Sequence, residues 1–268
     1  MNNIDGKTIA QDMLRDIGVV ANVMQKRVCF IQFGTDASST DFIARKQRVA
    51  NQMGISADVI HEPTICTTEE ALVLITDVIS HEYDGIVVQL PLPYGIDTDE
   101  ILNAIPVAQD IDVLSKESLQ NFERGLTERM PPVAGAVNAI IETQAIDLGE
   151  KSVVIVGKGR LVGEPIAQLF DRLGVLYQTI DIETPAERKD ALLATADIII
   201  SGTGVPHSIT ADMIKEGVVL IDAGTSEHNG VLVGDMDPSC YSKASLYTPV
   251  PGGVGPITVA VLFKNLFS

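Results

Sequence analysis

The apolar run Ser152-Val153-Val154-Ile155-Val156 leads directly into Gly157-Lys158-Gly159-Arg160-Leu161-Val162-Gly163, and this junction limits what the chain can fold into more than any other. The next segment carries Ile166, Leu169, Phe170 and Leu173 on one helical face, and a further strand-like run, 175–180, ends in Asp181, 24 positions after Gly157. Strand, glycine-rich turn, helix, strand and terminal acid is the layout of a dinucleotide-binding unit, in which glycines let the backbone approach a pyrophosphate at a helix N-terminus. The third glycine comes one position later than the strict G-x-G-x-x-G spacing, so the fingerprint is a variant. An ordinary βα turn in a flavodoxin-like domain is the competing reading.

The same alternation of short apolar runs and longer amphipathic stretches fills the chain, which predicts an α/β protein with parallel sheets. Before the glycine turn it predicts strands at 28–33, around Val59-Ile60 and at 85–89, with helices over 41–53 and 68–80. Beyond it, strands are expected at 197–201 and 218–222, each followed by a glycine-bearing loop, Gly202-Thr203-Gly204 and Ala223-Gly224-Thr225. Loops of this kind gather at the C-terminal edge of a parallel sheet, where ligands bind. Residues 114–130 are polar and weakly periodic, so the domain connection is placed there, followed by a helix over 135–148. With 268 residues and about 150 per domain, two domains are expected. They are assigned as 1–133, completed by a C-terminal segment 250–268, and 134–249.

Charge narrows the partners. The balance of 19 Lys and Arg against 36 Asp and Glu, −17 net, repels phosphate backbones and anionic membranes, so neither nucleic acid nor membrane is expected as a partner. No apolar run approaches the roughly 18 residues of a membrane span, and the polar start Met1-Asn2-Asn3-Ile4-Asp5 lacks a signal peptide's layout. Cys29, Cys66 and Cys240 are far apart and odd in number, which argues for a reducing, cytoplasmic compartment. His61, His81, His207 and His228 are scattered, so no metal site is expected.

Two proline-rich segments remain: Gln89-Leu90-Pro91-Leu92-Pro93, at the end of a strand, and Thr248-Pro249-Val250-Pro251-Gly252-Gly253-Val254-Gly255-Pro256, a shaped loop before a final helix over 257–266. With Ile4-Asp5-Gly6-Lys7-Thr8-Ile9-Ala10, these segments make the chain resemble, nearly end to end, the bifunctional methylenetetrahydrofolate dehydrogenase/cyclohydrolase family. The resemblance implies a catalytic domain and a Rossmann domain with a cleft between them. It also implies oxidation of 5,10-methylenetetrahydrofolate with NADP, hydrolysis of the methenyl product to 10-formyltetrahydrofolate, and a homodimer. Lys46 in Phe42-Ile43-Ala44-Arg45-Lys46 matches the family's catalytic lysine, Gln89 the glutamine that works with it, and Asp112 in Asp110-Ile111-Asp112-Val113 the pterin-anchoring carboxylate. Phe42, Pro251, Gly252 and Gly253 fall at substrate-binding positions; Gly157, Lys158, Gly159, Asp181, Thr203 and Thr225 fall at cofactor positions.

Physical chemistry is consistent with these roles. Hydride loss from a methylene between two nitrogens gives a delocalised cation and needs orientation more than a base. Hydrolysis of that cation needs water deprotonated near neutral pH, which suits a lysine in partly dry surroundings beside a positive charge. A carboxylate can accept paired hydrogen bonds from a pterin's amino and ring N–H groups. The chain also departs from the family: Phe42 stands where tyrosine is usual, Pro131-Pro132-Val133-Ala134 replaces Pro-Cys-Thr-Pro, and Val113 replaces a glycine. Lys158 lacks arginine's fork, and Asp181 and Glu183 would repel a 2′-phosphate, so NAD is the alternative to NADP. A monofunctional dehydrogenase and a non-catalytic folate- or nucleotide-binding paralogue are the alternative functions.

Overall fold

The computed structural model describes residues 3–228 and 231–268; Met1 and Asn2 of the polar start lie outside the described residues. In chain order the elements are α1 (Gly6–Met24), β1 (Arg27–Phe33), α2 (Ala37–Gln52), β2 (Ser56–Glu62), α3 (Thr68–Ser80), β3 (Gly85–Val88), α4 (Thr98–Ala104), α5 (Lys116–Glu123) and α6 (Pro132–Thr143). They continue with β4 (Val153–Val156), α7 (Gly163–Leu173), β5 (Tyr177–Ile180), α8 (Ala186–Thr195), β6 (Ile198–Ser201), β7 (Val219–Asp222), β8 (Ser226–His228), β9 (Val231–Val233), β10 (Leu246–Tyr247) and α9 (Val254–Leu266).

The chain divides into two compact units, one of Asp12–Pro131 with Val259–Ser268, the other of Met1–Gln11 with Pro132–Thr258. The first is built on a parallel sheet of order β2-β1-β3. Its central strand is buried at every position after Arg27, as a strand covered on both faces must be. One core cluster packs α3, Leu102 of α4 and Leu114 against this sheet, and the other packs Ile17 and Ala21 of α1 with Leu262, Phe263 and Leu266 of α9. Helix starts follow their caps: Asp36, Thr67, Asp97 and Ser115 each accept a hydrogen bond from a first-turn N–H.

The second unit has an all-parallel sheet of order β10-β7-β6-β4-β5. Counted within the unit this is a 2-1-3-4-5 order, whose reversal lies between β4 and β6, and in open α/β sheets ligands bind outside the carboxyl ends of the strands at that switch point. The N-terminal residues group here because Ile4 N–H donates to Tyr247 O at 2.8 Å, extending the sheet beside β10.

Several expectations need correction. The segment 114–130, expected to be polar and weakly periodic throughout, packs with the first unit and carries α5, which buries Phe122 completely. By their packing the N-terminal residues to Gln11 group with the second unit, and the C-terminal segment 250–268 divides between the units within α9. The helix expected over 135–148 starts earlier, at Pro132, where a missing N–H costs nothing, and ends at Thr143. Leu173, expected on the buried face of α7, is 51% exposed because it sits in the last turn before the left-handed Gly174 cap.

Candidate active site

In the first unit, α2 and the end of β3 bring Lys46 and Gln89 together. Lys46 Nζ donates to Gln89 Oε1 at 3.1 Å. The Gln89 amide is itself oriented, because Nε2 donates to Leu90 O at 2.8 Å ahead of the cis Leu90–Pro91 peptide. Phe42 lies one helical turn before Lys46, half-buried, with the Arg45 guanidinium 5.7 Å from its ring centroid.

Asp112 completes this group. Burial raises its pKa from the ordinary carboxylate value; the Lys46 charge pulls it back down and Asp110 pushes it up. The two aspartates of Asp110-Ile111-Asp112-Val113 do different work. Asp110 is buried and accepts from Leu114 N–H at 3.2 Å and Ser115 N–H at 2.9 Å, so it shapes the turn. Asp112 takes no hydrogen bond from the described residues, which leaves its carboxylate for a ligand. Val113 sits at φ +54° with its side chain buried, a left-handed conformation that glycine adopts without strain.

The turn is held from behind by a residue the sequence reading missed. Asn265, 1% exposed on α9, donates from Nδ2 to Ile111 O at 2.8 Å and to Met130 O at 2.7 Å, while its Oδ1 accepts from Met130 N–H at 3.1 Å. The only available signal was an asparagine inside an otherwise apolar helix, where a polar group must find partners.

The cofactor positions lie in the second unit. Gly157 follows β4 at φ +103°, and a Cβ there would stand 2.8 Å from Gly202 O, so the loops after β4 and β6 touch at the switch point. Gly163 is the glycine the packing demands, since its Cβ would come within 2.0 Å of Gly157 O. Being one position late, it still performs the close helix-to-strand approach of the third fingerprint glycine. Gly159 has open space around a built Cβ, so sterics alone do not require glycine there. The start of α7 has no side-chain cap, which suits a helix N-terminus that receives a pyrophosphate. Lys158 pairs with Asp181 at 2.5 Å. These residues fit a dinucleotide.

Thr203 and Thr225 are exposed on the loops after β6 and β7. Both loops are tied down by two buried aspartates that sequence reasoning did not single out. Asp235 Oδ2 accepts from Ser201 Oγ at 2.7 Å and from Thr203 N–H at 2.6 Å. Asp222 accepts from the N–H groups of Gly224 at 3.0 Å, Asp235 at 3.2 Å and Met236 at 2.9 Å. Burial, reinforced by the Asp235 charge, pushes Asp222 up to about 7. Gly224 and Gly234 make the room, because a Cβ at either would stand 2.1 Å from a carboxylate oxygen. An acid closing the apolar run Val219-Leu220-Ile221-Asp222 was the readable signal.

Pro251, Gly252 and Gly253 belong to this second unit rather than to that of Lys46, Gln89 and Asp112. Gly252 has φ +111°, Val250–Pro251 is cis, and Gly253 packs so closely on Gly6 that a Cβ at Gly6 would lie 1.7 Å from Gly253 O. Among the described residues no group of three His, Cys, Asp or Glu side chains is placed to hold a metal ion.

Comparisons with known proteins cover nearly the whole chain. Residues 4–112 match the catalytic domain, and residues 131–268 the NAD(P)-binding domain, described as tetrahydrofolate dehydrogenase/cyclohydrolase. The chain is 39% identical over 249 residues to the bifunctional protein FolD of Mycoplasmopsis synoviae, covering 90% of this chain and 87% of that protein. The crystal structure of the bifunctional enzyme FolD from Campylobacter jejuni superposes with a TM-score of 0.91 at 30% identity, covering 98% of this chain and 96% of that one. That of the Trypanosoma brucei enzyme, complexed with NADP cofactor and inhibitor, gives 0.92 at 27% identity, covering 98% and 95%. With both halves matched in order and the lysine, glutamine and carboxylate of the first half gathered together, the chain belongs to the tetrahydrofolate dehydrogenase/cyclohydrolase family.

Proposed function

We propose that the protein oxidises 5,10-methylenetetrahydrofolate to the 5,10-methenyl form with NADP and hydrolyses the product to 10-formyltetrahydrofolate. The observation that carries this reading is the 3.1 Å contact between Lys46 and Gln89, with Asp112 close enough for the Lys46 charge to act on it. Bound NADP supplies the nicotinamide that accepts the hydride. Gly157, Gly163, Lys158 and the uncapped start of α7 hold the dinucleotide.

Asp112 receives the pterin N–H groups and fixes the ring. Phe42 offers a flat apolar face for a flat substrate. Gln89 orients the Lys46 ammonium, and for hydrolysis Lys46, once deprotonated at Nζ, takes the proton from the attacking water. The 10-formyl product is a formyl donor for one-carbon metabolism, including purine biosynthesis.

The protein is assigned to the cytoplasm on its free Cys29, Cys66 and Cys240, and no helix among the described residues is long and apolar enough to cross a membrane. Its acidic charge argues against nucleic-acid partners. A homodimer is favoured by β5, an edge strand flanked by exposed Leu173 and Leu176 (88% exposed); sedimentation equilibrium checks it.

Absorbance of the purified protein with 5,10-methylenetetrahydrofolate and NADP tests the reaction, following reduced nicotinamide and methenyl folate together. Reduced nicotinamide without methenyl build-up is expected. Phe42 favours a second reading, a dehydrogenase alone, because no phenolic hydroxyl stands one turn from Lys46 to relay a proton; methenyl accumulation would establish it. No reduction with either dinucleotide would leave a binding protein.

A further inference from the structure

We infer that the Lys158–Asp181 ion pair sets the choice of 2′-substituent on the cofactor ribose, with Asp181 the residue that holds NADP back, so that the site binds NAD and NADP with comparable affinity. This deepens the cofactor reading above and rests on it. Asp181 closes β5, where an acid serves as acceptor for a ribose 2′-hydroxyl. Its carboxylate is anchored by its own loop: Oδ1 accepts from Thr184 Oγ1 at 2.8 Å and from Glu183 N–H at 3.1 Å. Asp181 N–H in turn donates to Thr184 Oγ1 at 3.0 Å. The other carboxylate oxygen, Oδ2, holds Lys158 Nζ at 2.5 Å.

The two partners are therefore unequal. Asp181 is fixed and its side chain is 19% exposed, whereas the Lys158 side chain is 62% exposed on a flexible stem. Lys158 and the hydrogen bonds of Thr184 and Glu183 also hold the Asp181 carboxyl down to about 2, so it stays charged at any working pH. The loop Asp181-Ile182-Glu183-Thr184 brings no cation of its own, and Ile182 is fully exposed.

A 2′-phosphate carries nearly two negative charges and must draw Lys158 from Asp181, leaving the anchored carboxylate beside it without its counter-charge. A 2′-hydroxyl needs no such exchange: it donates to Asp181 and accepts from Lys158 in place. Attraction to Lys158 and repulsion from Asp181 thus nearly cancel for NADP, while NAD retains both hydrogen bonds.

Equilibrium titration of the full-length protein with NADH and NADPH, read by ligand fluorescence or calorimetry at fixed ionic strength and without folate, tests this. The expected wild-type Kd values agree within about tenfold. Asp181→Asn is expected to tighten NADPH by about tenfold or more and to leave NADH unchanged or weaker. Lys158→Ala should weaken NADPH by a similar factor and NADH much less. Thr184→Val, which loosens the anchor without removing a charge, should shift the ratio towards NADPH part-way. A ratio that Asp181→Asn and Thr184→Val both leave unmoved, in variants that melt like the wild type, overturns the assignment. Failure of the wild type to bind either dinucleotide overturns the cofactor reading itself.

Discussion

Lys46 Nζ lies 3.1 Å from Gln89 Oε1, a contact between residues 43 apart in sequence that joins the third turn of a helix to the end of a strand. If Lys46 handles the proton of hydrolysis and Gln89 chiefly orients, the two activities should part on mutation. Lys46→Ala is expected to lower methenyl hydrolysis by about 10²-fold or more and hydride transfer by about tenfold or less, with methenyl folate accumulating. Equal loss of both in stopped-flow absorbance would contradict this division.

Asn265 makes its case from behind the site. Asn265→Ala leaves the carbonyls of Ile111 and Met130 and the N–H of Met130 without the amide that served them. A loss of about 2–4 kcal/mol in urea unfolding is expected. Because Ile111 precedes Asp112, KM for the folate should rise more than kcat falls. A stability loss with an unchanged KM would mean that the turn keeps its shape without Asn265.

Val113 is a buried β-branched residue at φ +54°. Removing its side chain costs about 1–3 kcal/mol, but only glycine also relieves the backbone, by about 1 kcal/mol or more. Val113→Gly should therefore unfold at higher urea than Val113→Ala, the reverse of the usual order. The opposite ranking would show that the left-handed turn relaxes in the variants.

Asp222 predicts a pH dependence. Its folded pKa of about 7 lies above the ordinary 3.8, so the native state holds the proton that the unfolded chain gives up. Its stabilising contribution is full below about pH 4 and declines until pH reaches about 7. An Asn at this position cannot ionise, so the destabilisation caused by Asp222→Asn should shrink by about 2–3 kcal/mol between pH 5 and pH 8. A pH-independent difference between the two proteins would show that Asp222 does not retain its proton.

Local pattern made much of the fold legible. Apolar runs of strand length and the turn Gly157 to Gly163 specify α/β units because period and glycines act over a few residues, whereas the Asp36 cap went unread and α2 starts at Ala37 rather than at 41. Motifs pointed to Lys46, Gln89 and Asp112 as candidates, although Phe42 and Val113 depart from the pattern beside two of them. In α5 the periodicity covers only eight residues, too few to separate a short helix from a polar linker.

What the sequence by itself determined is the class of each half and the candidates for the chemistry. Tertiary structure decided which glycine carries the close approach, Gly163 rather than Gly159, because that depends on a strand and a helix meeting. It also decided that Asp110 builds the turn while Asp112 stays available, and that Asn265, Asp222 and Asp235 hold the loops from behind. A buried polar side chain is defined by its partners, and those of Asn265 lie as many as 154 residues away in the chain, beyond the reach of any local pattern.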